Sequence, residues 1–234
     1  MQAVVLAAGF GKRMRPLTDS MPKPLIPVNG KPFLWYVLKN LQKAGFDNVI
    51  IVGGYKIEMI GEFLRQHKFG ATVINQKEIL GTAHAIASAK PLIDDDFVVL
   101  MSDNLCSPFD LKKFMIEDDM NYVGGIFHNM AEKYGNLAVN GEFLEKIVEK
   151  PKQKLGGMIN AGIYKFTPEI FSAIRKVKKS ERGEYEITDA ISILCNARKV
   201  KIIKIDGYWL DMGVPEDIPF IEEFLNRRGV EREY

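Results

Sequence analysis

Cysteine is nearly missing from this chain: Cys106 and Cys195 are the only two, and they stand far apart. A disulfide framework and a zinc cluster are thereby excluded, and the pair reads as reduced, structural thiols of a cytoplasmic protein. The three histidines, His67, His84 and His128, have no metal-ligand spacing; His84, nearest to a motif, reads as helix surface or core. No apolar stretch reaches the length of a membrane span. No basic segment precedes the first apolar run, which Gly9 cuts short, so a signal peptide is not expected. Low-complexity tracts and internal repeats are missing too. Lys and Arg (32) barely outnumber Asp and Glu (30), which argues against a nucleic-acid partner.

What is present is ordinary in bulk and unusual in one place. At 234 residues, 47% hydrophobic and 26% charged, the chain suits one α/β domain of two lobes, 1–107 and 108–234. Ala3 to Ala8 is a short, partly β-branched apolar run, expected as a buried strand. Gly9 and Gly11 break it, and Pro16, Pro22, Pro24, Pro27 and Pro32 forbid a regular helix until about Phe33. A connection that long is usually functional. It carries Lys12, Arg13, Arg15, Lys23 and Lys31 against the single acid Asp19. Such a loop at the carboxyl end of a first strand is built to hold phosphates. A third glycine for a dinucleotide fingerprint is lacking, and no Gly-x4-Gly-Lys-Ser/Thr occurs. Lys12 and Arg15 read equally as phosphate contacts or solvated loop charges.

Periodicity organises the rest. Helices are expected at Phe33 to Ala44, Ile57 to Gln66 and Thr82 to Lys90, alternating with strands at Asn48 to Val52, Ala71 to Asn75 and Phe97 to Met101. That alternation indicates parallel βαβ units. Beyond Ser107, strands are expected at Tyr122 to Phe127, Leu137 to Val139, Ile159 to Phe166 and Val200 to Ile205. Helices are expected at Pro168 to Val177 and Ile187 to Asn196, with a well-signalled one at Pro215 to Arg228. The first half reads as a nucleotide-binding lobe and the second as the part that receives an acceptor. Asp103 follows the run Phe97-Val-Val-Leu-Met, at the strand end where open α/β sheets bind ligands; a turn or a cap before the segment at Asp110 is the plainer alternative. Thr82 reads as a helix cap, and so do Thr188 and Asp189; Trp209 reads as packing.

These residues also carry a family resemblance. Leu6-Ala-Ala-Gly-x-Gly-x-Arg-Met-x-Pro-Leu-Thr, followed by Pro22-Lys-Pro-Leu-x-Pro-Val, resembles the signature of the nucleotidyltransferases that activate sugar 1-phosphates. The likeness runs over nearly the whole chain. It implies a Rossmann-like, mixed and mainly parallel sheet flanked by helices, of the nucleotide-diphospho-sugar transferase type. It implies Leu6, Ala8, Gly9, Gly11, Lys12, Arg13, Gln76, Gly81, Thr82 and Asp103 at the nucleotide, with Arg13 and Lys23 as catalytic cations. Asp103 in Ser-Asp-Asn and Asp211 in Trp-Leu-Asp-Met-Gly match the family's two Mg²⁺ ligands. Gly135, Glu149, Lys150 and Asn160 match its sugar-phosphate contacts. Ser102 stands where the family usually has glycine, and Asn136 where it has valine. Longer relatives carry a C-terminal β-helical extension, so a second acyltransferase activity is not expected.

The reaction so implied is Mg²⁺-dependent transfer of a nucleotidyl group from a nucleoside triphosphate to a sugar 1-phosphate, releasing pyrophosphate. Gln76 leans the base towards uracil or thymine, since an amide can match one acceptor beside one donor, though it also pairs with adenine or cytosine. Rival readings are a mannose-1-phosphate guanylyltransferase, a phosphocholine-type cytidylyltransferase and a non-catalytic nucleotide-sugar sensor. A glycosyltransferase is a further one, but no Asp-x-Asp stands at the Asp103 strand end. A homo-oligomer is compatible with the family.

Overall fold

The structure is a computed structural model that describes residues 1–149 and 156–228, Glu149 by its backbone only. Strand β1 (Gln2–Ala7) leads into a loop that holds a one-turn helix, α1 (Leu17–Ser20), between two 3-10 turns (Lys12–Met14 and Lys23–Leu25), and then a short hairpin, β2 (Pro27–Val28) and β3 (Lys31–Pro32). Then come α2 (Phe33–Ala44), β4 (Asn48–Gly53), α3 (Ile57–His67), β5 (Ala71–Asn75), α4 (Thr82–Ala89) and β6 (Phe97–Met101). The second half comprises β7 (Asn104–Cys106), α5 (Pro108–Lys112), β8 (Asn121–His128), β9 (Gly135–Asn140), β10 (Phe143–Glu149) and β11 (Gly157–Phe166). It continues through α6 (Ile170–Ile174), α7 (Ile187–Asn196), β12 (Val200–Lys204) and β13 (Trp209–Asp211) to α8 (Asp217–Arg228).

Among the described residues one nine-stranded sheet runs through both halves, in the order β5-β4-β1-β6-β11-β8-β12-β10-β9, with β9 also touching β11. The sheet is mixed, as expected. Its parallel part is the first half, where β1 lies between β4 and β6; in the second half only β8 and β12 are parallel and the other pairings are antiparallel. Central strands read as unbroken apolar runs because both faces are covered. Side chains alternate across the pleat: Ala3, Val5 and Ala7 join the core under α2, whereas Val4 and Leu6 join the one under α4 and α7. Helix α2 stops at Gly45, whose φ of +97° suits glycine and whose N–H, with that of Phe46, closes on Gln42 and Leu41 carbonyls.

Several local expectations are corrected. The helix expected over 168–177 shrinks to α6 because Ala173 and Ile174 carbonyls accept turn bonds from Lys176 and Val177. The last helix starts at Asp217 rather than Pro215, after Asp217 has folded back to accept the N–H groups of Gly213 and Val214. Thr82 is not a cap: Gly81 occupies that place, and the Thr82 hydroxyl accepts from the Ile187 N–H at 3.0 Å. Thr188 and Asp189 lie inside the first turn of α7, which Glu186 precedes without a side-chain cap. Ser107, not Asp103, caps α5, accepting from the Asp110 N–H at 3.1 Å.

Candidate active site

The glycine loop is shaped by one steric necessity. At Gly11 φ is +61°, and a Cβ there would lie 2.8 Å from Thr18 Cγ2 and 3.1 Å from Lys23 Cβ. Only glycine lets the loop lie this close to the segment carrying Lys23. The turn is held by the Thr18 hydroxyl and the Met14 N–H, both donating to the Gly11 carbonyl. Ala8 is fixed from the other side, its carbonyl accepting the Tyr55 N–H at 3.1 Å. At the neighbouring strand end, the Ser102 N–H donates to the Leu6 carbonyl.

Two cavities open over this loop at the carboxyl ends of β1 and β6. One, of about 350 Å³, is lined by Gly9, Gly11, Lys12, Arg13, Lys23 and Asp103 among others. The second, of about 420 Å³, shares Leu6, Gly9, Gly11 and Lys12 with it and adds Ala8, Gln76, Gly81 and Thr82. Lys12 therefore faces both cavities. Arg15 faces neither and pairs at 3.2 Å with Asp19 in an exposed i,i+4 contact, which makes it a solvated loop charge.

Charge is concentrated in the smaller cavity. Lys23 Nζ sits 2.5 Å from Asp103 Oδ2 in a mostly buried pair. Asp211, distant in sequence, is brought beside Asp103 by the short β7–β13 ladder. Its backbone faces Asn104, its Oδ1 accepts from Asn104 Nδ2 at 3.1 Å, and the next N–H, of Met212, donates to the Asp103 carbonyl. Gly162 (φ +69°) leaves room for this arrangement, since a Cβ would meet Asn104 Oδ1 at 2.5 Å. Burial, and then the charge of Asp103, push the Asp211 carboxyl up to about 6, against the opposing pull of Lys23 and Arg13. No group of three or more His, Cys, Asp or Glu side chains is placed to hold a metal among the described residues. The available donor set is thus two carboxylates, the kind Mg²⁺ uses when substrate phosphates complete its shell.

The larger cavity is walled by an unforeseen strap. Gly81 (φ +104°) lies so close to it that a Cβ would stand 2.6 Å from the Tyr185 carbonyl oxygen. Tyr185 donates its N–H to Leu80 and accepts from the Ala83 N–H, and Ile187 closes on Thr82. Glu184 consequently faces both cavities and Arg182 the larger one. The strap belongs to the segment Glu184-Tyr-Glu-Ile-Thr-Asp, of which the sequence alone marks only Thr188 and Asp189, as caps. Gln76 is 2% exposed; its Nε2 lies 3.0 Å from both the Gly81 carbonyl oxygen and His84 Nδ1.

The expected sugar-phosphate residues are less gathered. Gly135 opens β9 opposite Glu149 in β10, but neither Gly135 nor Asn160 lines the two cavities. Asn160 spends its side chain within β11, donating to the Tyr164 hydroxyl and accepting the Gly162 N–H across a register shift. Asn136 donates to the Ala131 and Tyr134 carbonyls; its departure from valine fastens a turn. The Glu149 side chain and Lys150 lie outside the described residues. Within the second lobe, the Tyr134 ring packs edge-on against Trp209, whose Nε1 donates to the Ala161 carbonyl. Burial, and then the charges of Asp211 and Asp217, push the Tyr134 hydroxyl up to about 12.

Comparison with known proteins gives this geometry its class. The chain belongs to the nucleotidyl transferase family, which matches residues 2–228. It is 39% identical over 230 residues to the bifunctional protein GlmU of Methanocaldococcus jannaschii, covering 96% of this chain but 54% of that protein. It is also 39% identical to the UTP–glucose-1-phosphate uridylyltransferase AglF of Haloferax volcanii, with 96% of each chain covered. The fold is that of a UDP-glucose pyrophosphorylase crystallised with UDP-glucose, at a TM-score of 0.83, 24% identity and coverage of 97% of this chain and 98% of that one.

Proposed function

We propose that this chain transfers a uridylyl or thymidylyl group from UTP or dTTP to a sugar 1-phosphate, with glucose 1-phosphate as the preferred acceptor, releasing pyrophosphate. The observation that carries the reading is the convergence of Lys23, Asp103, Asp211 and Arg13 beside the glycine loop. The full-length similarity to AglF supports uridylyl transfer to glucose 1-phosphate.

The chemistry asks little of the protein beyond position and charge. A phosphate oxygen of the acceptor attacks the α-phosphorus in line, and one P–O bond forms as the bond to the pyrophosphate oxygen breaks. No side chain has to act as nucleophile. Two anions must approach, and negative charge grows on the departing group; preorganised cations answer both demands. Arg13 and Lys12 suit the β,γ-phosphates, and Lys23 the α-phosphate region. Asp103 and Asp211 would hold Mg²⁺, which when bound neutralises phosphate oxygens. That Asp211 is buried against another carboxylate fits such a role, because a divalent cation offsets both the burial and the Asp103 charge that raise its pKa.

Pyrophosphate release with Mg²⁺, across ATP, CTP, GTP, UTP and dTTP, tests the reading. The acceptors are glucose, galactose, mannose and N-acetylglucosamine 1-phosphates and phosphocholine. Release that needs both UTP or dTTP and glucose 1-phosphate is the expected result. Release only with GTP and mannose 1-phosphate, or only with CTP and phosphocholine, overturns the substrate assignment.

A further inference from the structure

We infer that His84 is a positioning residue: it locks the amide of Gln76 so that the cavity is offered a hydrogen-bond acceptor alone, which selects a pyrimidine bearing a ring N–H over cytosine. The inference deepens the proposed function, on which it rests, by taking the cavity of about 420 Å³ that Gln76 lines as the pocket for the base.

Gln76 is almost wholly enclosed, and its main chain is pinned just past β5 by its N–H donating to the Gly53 carbonyl at 2.7 Å. Its side-chain nitrogen lies 3.0 Å from the Gly81 carbonyl oxygen. A carbonyl only accepts, so the group facing it has to be the NH₂. The same nitrogen lies 3.0 Å from His84 Nδ1. With one N–H on Gly81 and the other on His84, Nδ1 must accept, and this network assigns the ring proton to Nε2. Both amide hydrogens are then used inside the protein. Oε1 has no protein partner among the described residues, and it is not an enclosed orphan. With both amide hydrogens engaged, Oε1 is by elimination the polar atom left for the cavity that Gln76 lines.

Gly81 by itself is a divided anchor, because its carbonyl also accepts the Ala85 N–H that begins α4. A glutamine held only there could swing out and turn its NH₂ to the ligand. His84 removes that freedom from a firm base, on the first turn of α4, beside Thr82 and its tie to Ile187. The consequence concerns one edge of the base. Uracil and thymine carry a ring N–H that Oε1 can accept. Cytosine has a lone pair at the same ring position, which Oε1 repels, and an amide free to rotate would tolerate either.

Two substitutions separate positioning from packing. His84→Phe keeps a ring of similar volume and deletes the acceptor; His84→Asn loses the ring but can place Oδ1 where Nδ1 stood. In the full chain, with the acceptor that works best, kcat/KM for UTP relative to CTP is expected to fall roughly tenfold in His84→Phe, the value of one lost hydrogen bond. The change should be carried by KM for the nucleotide, and His84→Asn should hold the ratio near that of the unaltered protein. The reverse pattern, Phe tolerated and Asn damaging, overturns the inference in favour of packing. So does an unchanged ratio in His84→Phe while Gln76→Leu alters it. If Gln76→Leu also leaves the ratio unchanged, the base-pocket reading itself has failed, and the role of His84 falls with it.

Discussion

At the carboxyl ends of β1 and β6 the chain gathers Lys12, Arg13 and Lys23 around cavities of about 350 and 420 Å³. Around the start of β1 and the approaches to β4 and β6 it gathers Asp47, Asp94, Asp95, Asp96 and Asp118 about a cavity of about 600 Å³. That acid-lined cavity of about 600 Å³ is chemically wrong for a triphosphate, because its lining repels a polyanion. Backbone explains part of the asymmetry, since helices that follow parallel strands begin over the carboxyl edge with their positive ends. Side chains explain the rest. Where the acids crowd, Lys165, fully buried, reaches Asp96 at 2.6 Å and Asp118 at 3.2 Å and donates to the Asp118 and Met120 carbonyls. Charge there holds the fold together, whereas charge at the other end is left partly open to a ligand.

Substitutions at the two ends should therefore part company, one end losing rate and the other stability. The largest effect is expected at the carboxyl end. Lys23→Ala, Asp103→Ala and Asp211→Asn should each cut pyrophosphate release by roughly 100-fold or more, by analogy with the loss of a charge-stabilising group. Thermal unfolding measured alongside should show the fold intact. For Asp211→Asn the sign on stability is informative. Its folded-state pKa is raised, so the ionised form is disfavoured in the fold, and its contribution worsens as pH rises through the ordinary carboxylate range towards about 6. Deleting that charge should hold or raise the melting temperature while abolishing turnover; a large fall would mean that Asp211 is chiefly structural.

Lys165→Met inverts the pattern. Breaking a buried pair leaves Asp96 and Asp118 uncompensated, which is expected to cost about 3 kcal/mol in denaturant unfolding. The kcat/KM of the protein that remains folded should be unchanged. A parallel loss of kcat/KM would show that the two ends are coupled. Gly81→Ala should affect both quantities more modestly. Its φ of +104° and the Tyr185 carbonyl in its path are expected to cost about 1–3 kcal/mol, and the displaced strap should raise KM for the nucleotide.

Elements whose apolar pattern and flanking breakers agree were legible from sequence. Phe33–Ala44, Ala71–Asn75, Phe97–Met101 and Ile187–Asn196 form with the expected bounds. The β7–β13 ladder was not, because three-residue strands from opposite halves carry no periodicity, though it is what seats Asp211 beside Asp103. Asp103 was legible as the residue that follows an apolar strand run, whereas its pairing with Asp211 was legible only through motif resemblance. The strap over Gly81 and the bond from Gln76 to His84 escaped for another reason: they are contacts to backbone or to a single ring nitrogen, which many residue types could make. Asn160, matched by motif, has its side chain hydrogen-bonded within its own strand, an arrangement that no periodicity or spacing signals.

The smallest expected effect tests whether the acid-lined end gives stability through ionised carboxylates. Burial alone would raise the pKa of Asp118. The Tyr122 hydroxyl, the Met120 N–H and Lys165 outweigh it and hold the carboxyl below the usual range. Burial and the same hydrogen bond from the other side push the Tyr122 hydroxyl up to about 12. A depressed folded-state pKa favours folding at every pH above the unfolded value, and that contribution fades as pH falls through the folded one. Asp118→Asn keeps one acceptor and removes the charge. Its unfolding free energy should therefore lie below that of the unaltered protein at neutral pH, by no more than about 1 kcal/mol because the group is partly solvated. The gap should narrow as the medium is acidified below the ordinary carboxylate range. Urea unfolding of both proteins at matched pH values measures this difference directly. A gap independent of pH would mean that Asp118 acts by shape and hydrogen bonding alone, and that Lys165 draws its compensation from Asp96 and the two carbonyls.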